Sequence, residues 1–333
     1  MKFGKAGLAL TATELHDLLR EDLEQVDREI GLRSVASVDA ITTIGHYLHQ
    51  SGGKRLRPTL LLLSSKLAGG GGPSAIRMAA VVEMIHTATL VHDDVIDVAQ
   101  IRRGRPSPNV LWGNHTSVLA GDWLYMQAFQ VALEERDFRI LDLLIGLTQT
   151  MVEGELLQLQ RIGLMTVTES DYMDLVDRKT ASLFSACARL GAIMAGAAEE
   201  TEGRLGEYAW NLGMAFQLVD DVLDFTARQD VLGKAVGSDL GEGKVTLPVL
   251  YTLEQAEPSE RQQVETVLRD GNYGRVSFES VLAIIKKHKG IERAMRRAED
   301  FTQKARTIMG AFPTSPFQRA LYGLTDLVTA RDH

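Results

Sequence analysis

Apolar residues recur at three- and four-residue spacing along most of this chain, and runs of strict alternation are scarce. That pattern predicts helices. Residues 11–30, TATELHDLLREDLEQVDREI, carry apolar positions at helical spacing, with Thr13 placed as the N-cap. RPTLLLLSSKLAG, residues 57–69, sets Pro58 in a first helical turn and stops at GGGGP, Gly69 to Pro73, the clearest loop in the sequence. Met78 to Val91 are apolar nearly all round, which predicts a helix buried on most sides. Further helices are predicted at 116–134, 138–160, 169–198, 203–226, 244–256, 260–270, 277–287, 290–310 and 315–330. No hairpin pair, Pro- or Ser-rich linker or short repeat stands out among them, so the expectation is a single all-α domain over residues 1–333.

Composition narrows the function. Of 333 residues, 45% are hydrophobic and 24% charged, which leaves ample material for a large core. A net charge of −8 argues against nucleic acid as a partner, since binding a phosphate backbone needs a positive surface. The single cysteine, Cys187, excludes an intramolecular disulfide and a thiolate metal cage, and it fits a reducing compartment. The N-terminal MKFGKAGLALTATELHD has too short an apolar run, and turns acidic too soon, for a signal peptide. No stretch is expected to approach the roughly 20 apolar residues of a spanning helix. The expected location is the cytoplasm.

Two aspartate clusters carry the chemistry. LVHDDVID ends the most apolar predicted helix with Asp93, Asp94 and Asp97, and FQLVDDVLD repeats the arrangement with Asp220, Asp221 and Asp224. On a helix, residues i and i+4 share a face, so Asp93 pairs with Asp97 and Asp220 with Asp224. Such pairs suit a hard divalent cation, and magnesium takes one or two carboxylates together with substrate phosphate oxygens. A lone cluster is equally well a solvated helix end. Two copies, each closing an apolar helix and each followed by basic residues, favour a metal site facing a polyanion.

Cations are placed to complete it. GGKRLRP sets Lys54, Arg55 and Arg57 after two glycines at a helix start, where backbone N–H groups and forked guanidiniums suit phosphate oxygens. Arg102 and Arg103 follow Asp93 closely enough to fold back beside it. Lys179 and Thr180 lie in DRKTASLF, where a helical lysine is also explained by snorkelling to solvent. Lys234 and Lys244 flank a glycine-punctuated loop, GKAVGSDLGEGK, that is otherwise a solvated turn. His86 shares a helix face with Asp93, as a phosphate contact or as a satisfied core histidine. His92 and Asp93 form an HD pair of the kind found in metal phosphohydrolases, but the other histidines make no matching set.

GGKRLRP, HDDVIDVAQIRRGRPS, KTASLF, FQLVDDVLD and GKAVGSDLGEGKVTLP, in this order over roughly residues 45–255, resemble the motifs of trans-isoprenyl diphosphate synthases, in particular their long-chain, octaprenyl-class members. The resemblance implies an isoprenoid-synthase helical bundle around a deep central cavity, usually homodimeric. It implies a prenyltransferase that extends an allylic diphosphate by head-to-tail condensation with isopentenyl diphosphate. Several magnesium ions, three in number, would be held by Asp93, Asp94, Asp97, Asp220, Asp221 and Asp224. Arg102, Lys179, Thr180, Gln217, Lys234 and Lys244 would contact the allylic diphosphate, with Lys179 and Lys234 counted as catalytic. Lys54, Arg57, His86 and Arg103 would bind isopentenyl diphosphate. Short-chain members often place a bulky aromatic one turn before the first cluster; here Ala88 and Thr89 stand there, so the cavity floor is expected deeper, near Met84 or Phe129. A long product then follows, an octaprenyl-like chain for a quinone, with peripheral membrane contact at its release. A terpene cyclase would need neither GGKRLRP nor the second cluster, and a non-catalytic length-controlling subunit would have lost aspartates that are all present.

Overall fold

The computed structural model describes residues 9–50, 52–226 and 236–330. The chain divides into two compact units, one drawn from the described residues of Met1–Ile145, Ala186–Gly206 and Phe312–Gly323, the other from those of Gly146–Ser185, Glu207–Ala311 and Leu324–His333. Both are helical.

In the first unit the helices run α1 (Ala12–Arg33), α2 (Asp39–Gln50), α3 (Leu56–Leu67), α4 (Pro73–Ile96), α5 (Pro108–Trp112) and α6 (Asn114–Leu133). Thr11, not Thr13, caps α1: its hydroxyl accepts from the Glu14 amide, and the Glu14 carboxylate accepts from the Thr11 amide at 2.8 Å. The reciprocal box needs an acidic or amide residue three places after the cap; Thr11 has Glu14 there, whereas Thr13 has His16. The helix α2 was not expected. The helix α3 begins at Leu56, before Pro58, behind a left-handed Arg55.

The helix α4 is the centre of this unit and packs most extensively on α6. Met78, Ala79, Val82, Met84, Ile85 and Ala88 are all buried. It corrects one expectation: by length and apolarity Pro73–Ile96 qualifies as a span, at mean hydropathy 1.3. A helix enclosed on most sides needs the same composition as one in lipid, and two-thirds of that window, 67%, is buried inside the fold. Glycine sets the α4–α6 approach. A Cβ at Gly121 would lie 2.3 Å from His92 Nε2, so His92 is a packing residue, 3.2 Å from the Val118 carbonyl and stacked on Tyr125. That removes the phosphohydrolase reading of the HD pair.

Between α4 and α5 lies a hairpin too short to show alternation, Ile101–Arg102 (β1) paired antiparallel with Arg105–Pro106 (β2). Its turn residues Arg103 and Gly104 both have positive φ, 52° and 74°, as a tight hairpin turn requires.

The helices α7 (Phe138–Arg161), α9 (Ser182–Met194) and α10 (Glu199–Thr226) have residues in both units. The second unit also holds α8 (Glu169–Val176), α11 (Ser238–Gly241), α12 (Leu247–Leu253), α13 (Pro258–Asp270), α14 (Phe278–Lys287) and α15 (Gly290–Gly310), and α16 (Pro316–Thr329) ends the described chain. The helix expected at 169–198 is interrupted: Asp177–Ala181 form a π turn between α8 and α9, and the helix stops at Met194 ahead of a left-handed Gly196. Two glycines flank the π turn. A Cβ at Gly154 of α7 would meet Arg178 Cβ at 2.8 Å, and one at Gly213 of α10 would meet Ala181 Cα at 2.7 Å. The helix expected from 244 starts at Leu247, because Pro248 is tolerated only in a first turn and Thr246 before it is extended.

Candidate active site

In the first unit, α4 delivers its aspartates at its C-terminal end, where Asp97 is the cap residue. Asp93 is half-buried, Asp97 exposed and Asp94 buried. The three therefore differ in kind. Asp94 turns inward and takes the Arg102 guanidinium on one oxygen, Nη2 at 2.6 Å and Nε at 2.8 Å. Burial raises the Asp94 carboxyl above its usual range, and Arg102 opposes that shift.

The hairpin turn sends its two arginines to different tasks. Arg102 holds Asp94, whereas Arg103 donates to the Gly52 carbonyl and lies over Gly53, where a Cβ would be 2.9 Å from Arg103 Nη1. The second glycine of GGKRLRP is thus explained by a guanidinium resting on the backbone. Burial above all lowers the pKa of Arg103. His86 is held well below the usual imidazole range, first by burial and then by Arg57, Arg103, Arg102 and Arg55. Below its pKa the ring would add a further positive charge; kept neutral, it offers one donor and one acceptor. Lys54 is exposed and Arg57 half-buried at the start of α3. Arg55 serves the fold: it binds Glu83 at 2.7 Å and Asp27 at 2.9 Å. A cavity of about 30 Å³ lies among Tyr47, Thr87, Leu90, Asp94, Arg102 and Arg103. So many cations near one imidazole suit a bound polyanion.

In the second unit, α10 ends with Asp220 exposed and Asp221 and Asp224 buried. Asp221 accepts from the Tyr172 hydroxyl at 2.5 Å on Oδ2 and from Gln217 Nε2 at 2.8 Å on Oδ1. Gln217 Oε1 in turn accepts from the Thr180 hydroxyl at 2.8 Å. Burial, and then the charge of Asp239, push Asp221 up to about 8, while its two donors pull the other way. Asp224 anchors the following loop: it accepts from Ser238 Oγ at 3.1 Å and from the Asp239 amide at 3.2 Å. Tyr273 donates to the Gly237 carbonyl at 2.7 Å, and a Cβ at Gly237 would strike the Phe278 ring at 2.4 Å.

The π turn brings Lys179 to α7, where it pairs with Glu155 and donates to Gln158 at 3.1 Å. Snorkelling does not describe it. Lys244 pairs with Glu242 at 2.8 Å. Lys234 lies outside the described residues. Ala88 and Met84 are buried on α4, whereas Thr89 and Phe129 are half-buried. Sequence reasoning passed over Tyr172, which carries no local signal, and Asp239, whose stretch drew attention only for its lysines and glycines.

Among the described residues no three His, Cys, Asp or Glu side chains gather in metal-binding geometry. Magnesium does not need such a cage, because it keeps waters and shares phosphate oxygens with one or two carboxylates. At each helix end the more exposed carboxylates, Asp93 and Asp97 in the first unit and Asp220 in the second, are oxygen donors of the kind that suits a metal arriving with a diphosphate, whereas Asp94 and Asp221 are buried and hydrogen-bonded.

Each unit carries its own paired-aspartate helix end, with gathered arginines in the first and, in the second, hydrogen bonds that lead through Gln217 to Thr180 of the π turn, and each arrangement suits a diphosphate. Residues 38–285 match the polyprenyl synthetase family model, and the chain belongs to that family. It is 38% identical over 319 residues to the octaprenyl diphosphate synthase of Escherichia coli (strain K12), covering 96% of this chain and 98% of that protein. The crystal structure of a decaprenyl diphosphate synthase from Rhodobacter capsulatus matches with TM-score 0.91 and 37% identity, over 96% of this chain and 99% of that one. A polyprenyl synthase from Caulobacter crescentus CB15, complexed with calcium and isoprenyl diphosphate, matches with TM-score 0.93 and 34% identity, over 97% and 98%. The fold is the all-α isoprenoid synthase fold, and the chain is a trans-prenyltransferase that elongates prenyl chains.

Proposed function

We propose that this protein extends an allylic diphosphate with successive isopentenyl diphosphates to an all-trans polyprenyl diphosphate of the octaprenyl class, suited to a quinone side chain. The observation that carries the reading is the pair of small residues, Ala88 and Thr89, one turn before Asp93 on the buried helix α4. A chain growing from Asp93 back along α4 gains one isoprene unit in about one helical turn, roughly 5.4 Å, and α4 carries no Phe, Tyr or Trp. The octaprenyl relative and the decaprenyl structure support a long product. The family match covers residues of both compact units, which supports a single catalytic domain.

In this reading Asp93 and Asp97 of the first unit and Asp220 of the second would hold magnesium against the allylic diphosphate, with Asp94, Asp221 and Asp224 supporting the two helix ends through the hydrogen bonds described above. That the Caulobacter polyprenyl synthase is complexed with calcium and isoprenyl diphosphate supports a hard divalent ion as the partner of the diphosphate. When bound, magnesium supplies positive charge that stabilises the departing diphosphate. Arg102, Lys179, Thr180, Gln217, Lys234 and Lys244 orient that diphosphate; Lys54, Arg57, His86 and Arg103 hold isopentenyl diphosphate. The allylic C–O bond breaks with its electrons going to diphosphate. The isopentenyl double bond attacks the resulting cation, and a proton is then lost to the departed diphosphate, so no side-chain base is required. Fixed geometry supplies proximity, and exclusion of water protects the cation. Diphosphate substrates fit catalysis in the cytoplasm, and the long apolar product leaves through contact with a membrane.

Incubation with farnesyl diphosphate, labelled isopentenyl diphosphate and magnesium, followed by chromatography of the products, is expected to give octaprenyl diphosphate as the main species. Products no longer than geranylgeranyl would overturn the long-chain reading. No product without isopentenyl diphosphate is expected.

The reading includes a homodimer. Leu119, Met126 and Leu133 lie seven residues apart on α6, the first two 64% exposed, and α7 repeats the spacing with Phe138, Ile145, Val152 and Leu159, all exposed. Heptad-spaced apolar residues facing water call for a second apolar surface. Met126→Glu is expected to convert a dimer into monomers by light scattering; an unchanged mass would exclude this face.

A further inference from the structure

The second aspartate cluster poses a small puzzle at Tyr172. Its side chain is only 3% exposed, so phenylalanine would fill the same space, and a buried hydroxyl is unfavourable unless it has a partner. The partner is Asp221 Oδ2, at 2.5 Å. The carboxylate's other oxygen is occupied by Gln217 Nε2 at 2.8 Å. Gln217 turns its amide nitrogen to that carboxyl group and its amide oxygen to the Thr180 hydroxyl at 2.8 Å, so one donor–acceptor order runs through the pair. One chain of directed hydrogen bonds thus joins Tyr172 on α8, Asp221 and Gln217 on α10, and Thr180 in the π turn. All four belong to the second unit.

We propose that Tyr172 is a positioning residue for the metal–diphosphate site: by fixing Asp221 inward, it sets the direction of Gln217 and Thr180 and leaves Asp220 as the outward carboxylate. The proposal rests on the metal role assigned above to the second cluster. Without the hydroxyl, Asp221 keeps one donor and gains freedom to rotate toward the ion. The amide of Gln217 then loses the fixed acceptor that orders it. A network of this kind acts as a unit, so loss at one end is felt at the other.

The test is isothermal calorimetry of the full chain titrated with magnesium in the presence of inorganic diphosphate, alongside steady-state kinetics. Tyr172→Phe is expected to weaken magnesium–diphosphate binding about tenfold, the scale of one hydrogen bond to a charged group. It should lower kcat, leave the KM for isopentenyl diphosphate within twofold, and lower the melting temperature of the free enzyme by no more than a few degrees, the cost of one buried hydrogen bond. In an Asp221→Asn background the same substitution should change binding less than twofold, because the acceptor through which it acts is already altered. Asp220→Ala is the reference arm. If it weakens binding and Tyr172→Phe does not, Tyr172 has only a packing role and the proposal is wrong. An equal tenfold loss from Tyr172→Phe in the Asp221→Asn background also overturns it. If Asp220→Ala leaves binding unchanged, the metal role of the cluster fails, and this proposal with it.

Discussion

Asp93→Ala and Asp220→Ala should each lower turnover by about a hundredfold or more while leaving the far-UV helical signal intact, an effect of the size expected when a group stabilising transition-state charge is removed. The structure separates these positions from their neighbours. Asp93 is half-buried and Asp220 exposed, so neither change leaves a cavity in the core. Asp94→Ala is different in kind, because it strands the Arg102 guanidinium bonded to it at 2.6 Å. That variant should lose stability as well as rate, by about 1–3 kcal/mol for an unsatisfied partner. Chelation of divalent ions should abolish activity in the unaltered enzyme, and added magnesium should restore it. Wild-type turnover in Asp93→Ala and Asp220→Ala, at saturating magnesium, would dispose of the metal assignment.

Product length should respond as strongly to a single side chain on α4. Ala88→Phe and Thr89→Phe place an aromatic ring one turn before Asp93 and are expected to shift the main product from the octaprenyl class to short chains. The two positions differ in what they can accept. Ala88 is fully buried, so a phenyl ring there carries an overpacking cost of about 1–3 kcal/mol. Thr89 is half-buried, its hydroxyl bonded to the His86 carbonyl at 2.7 Å, so a larger group there displaces less of the core than at Ala88. Thr89→Phe is therefore the cleaner test. Changes at Met84 or Phe129, further from the aspartates, should alter length only among long products. An unchanged product distribution in a folded, active Thr89→Phe enzyme would show that the chain does not grow back along α4.

How much of this was legible beforehand depended on the range of the interaction. The helix α4 was readable because its apolar residues surround it, and both aspartate clusters because four-residue spacing fixes a helical face. Lys179 and Thr180 were readable only as a motif. Nothing local announces that Asp177–Ala181 take π geometry, and the glycines that make room beside the turn, Gly154 and Gly213, lie on other helices. The hairpin at Ile101–Pro106 was too short to alternate, so the opposite tasks of Arg102 and Arg103 could not be foreseen. The same holds for Arg55, grouped with its basic neighbours in sequence yet committed to Glu83 and Asp27. The cap at Thr11 is the exception: its box with Glu14 is local, three residues apart, and legible in the sequence.

The π turn also fixes a phase relation between α8 and α9. A π turn accommodates one residue more than an α turn, so α9 begins about 100° out of step with a continuous helix grown from α8. Tyr172 and Phe184 are both buried under that offset. Deleting one residue within Asp177–Ala181 would remove that extra residue and let the backbone close into unbroken α-helix with Phe184 still turned to Phe216, its ring partner at 5.2 Å. Straightening the turn into α-helix without a deletion would instead rotate Phe184 by about 100° away from that ring. A one-residue deletion here should therefore preserve helix content and aromatic packing alike, and its cost falls on the turn that carries Lys179 and Thr180.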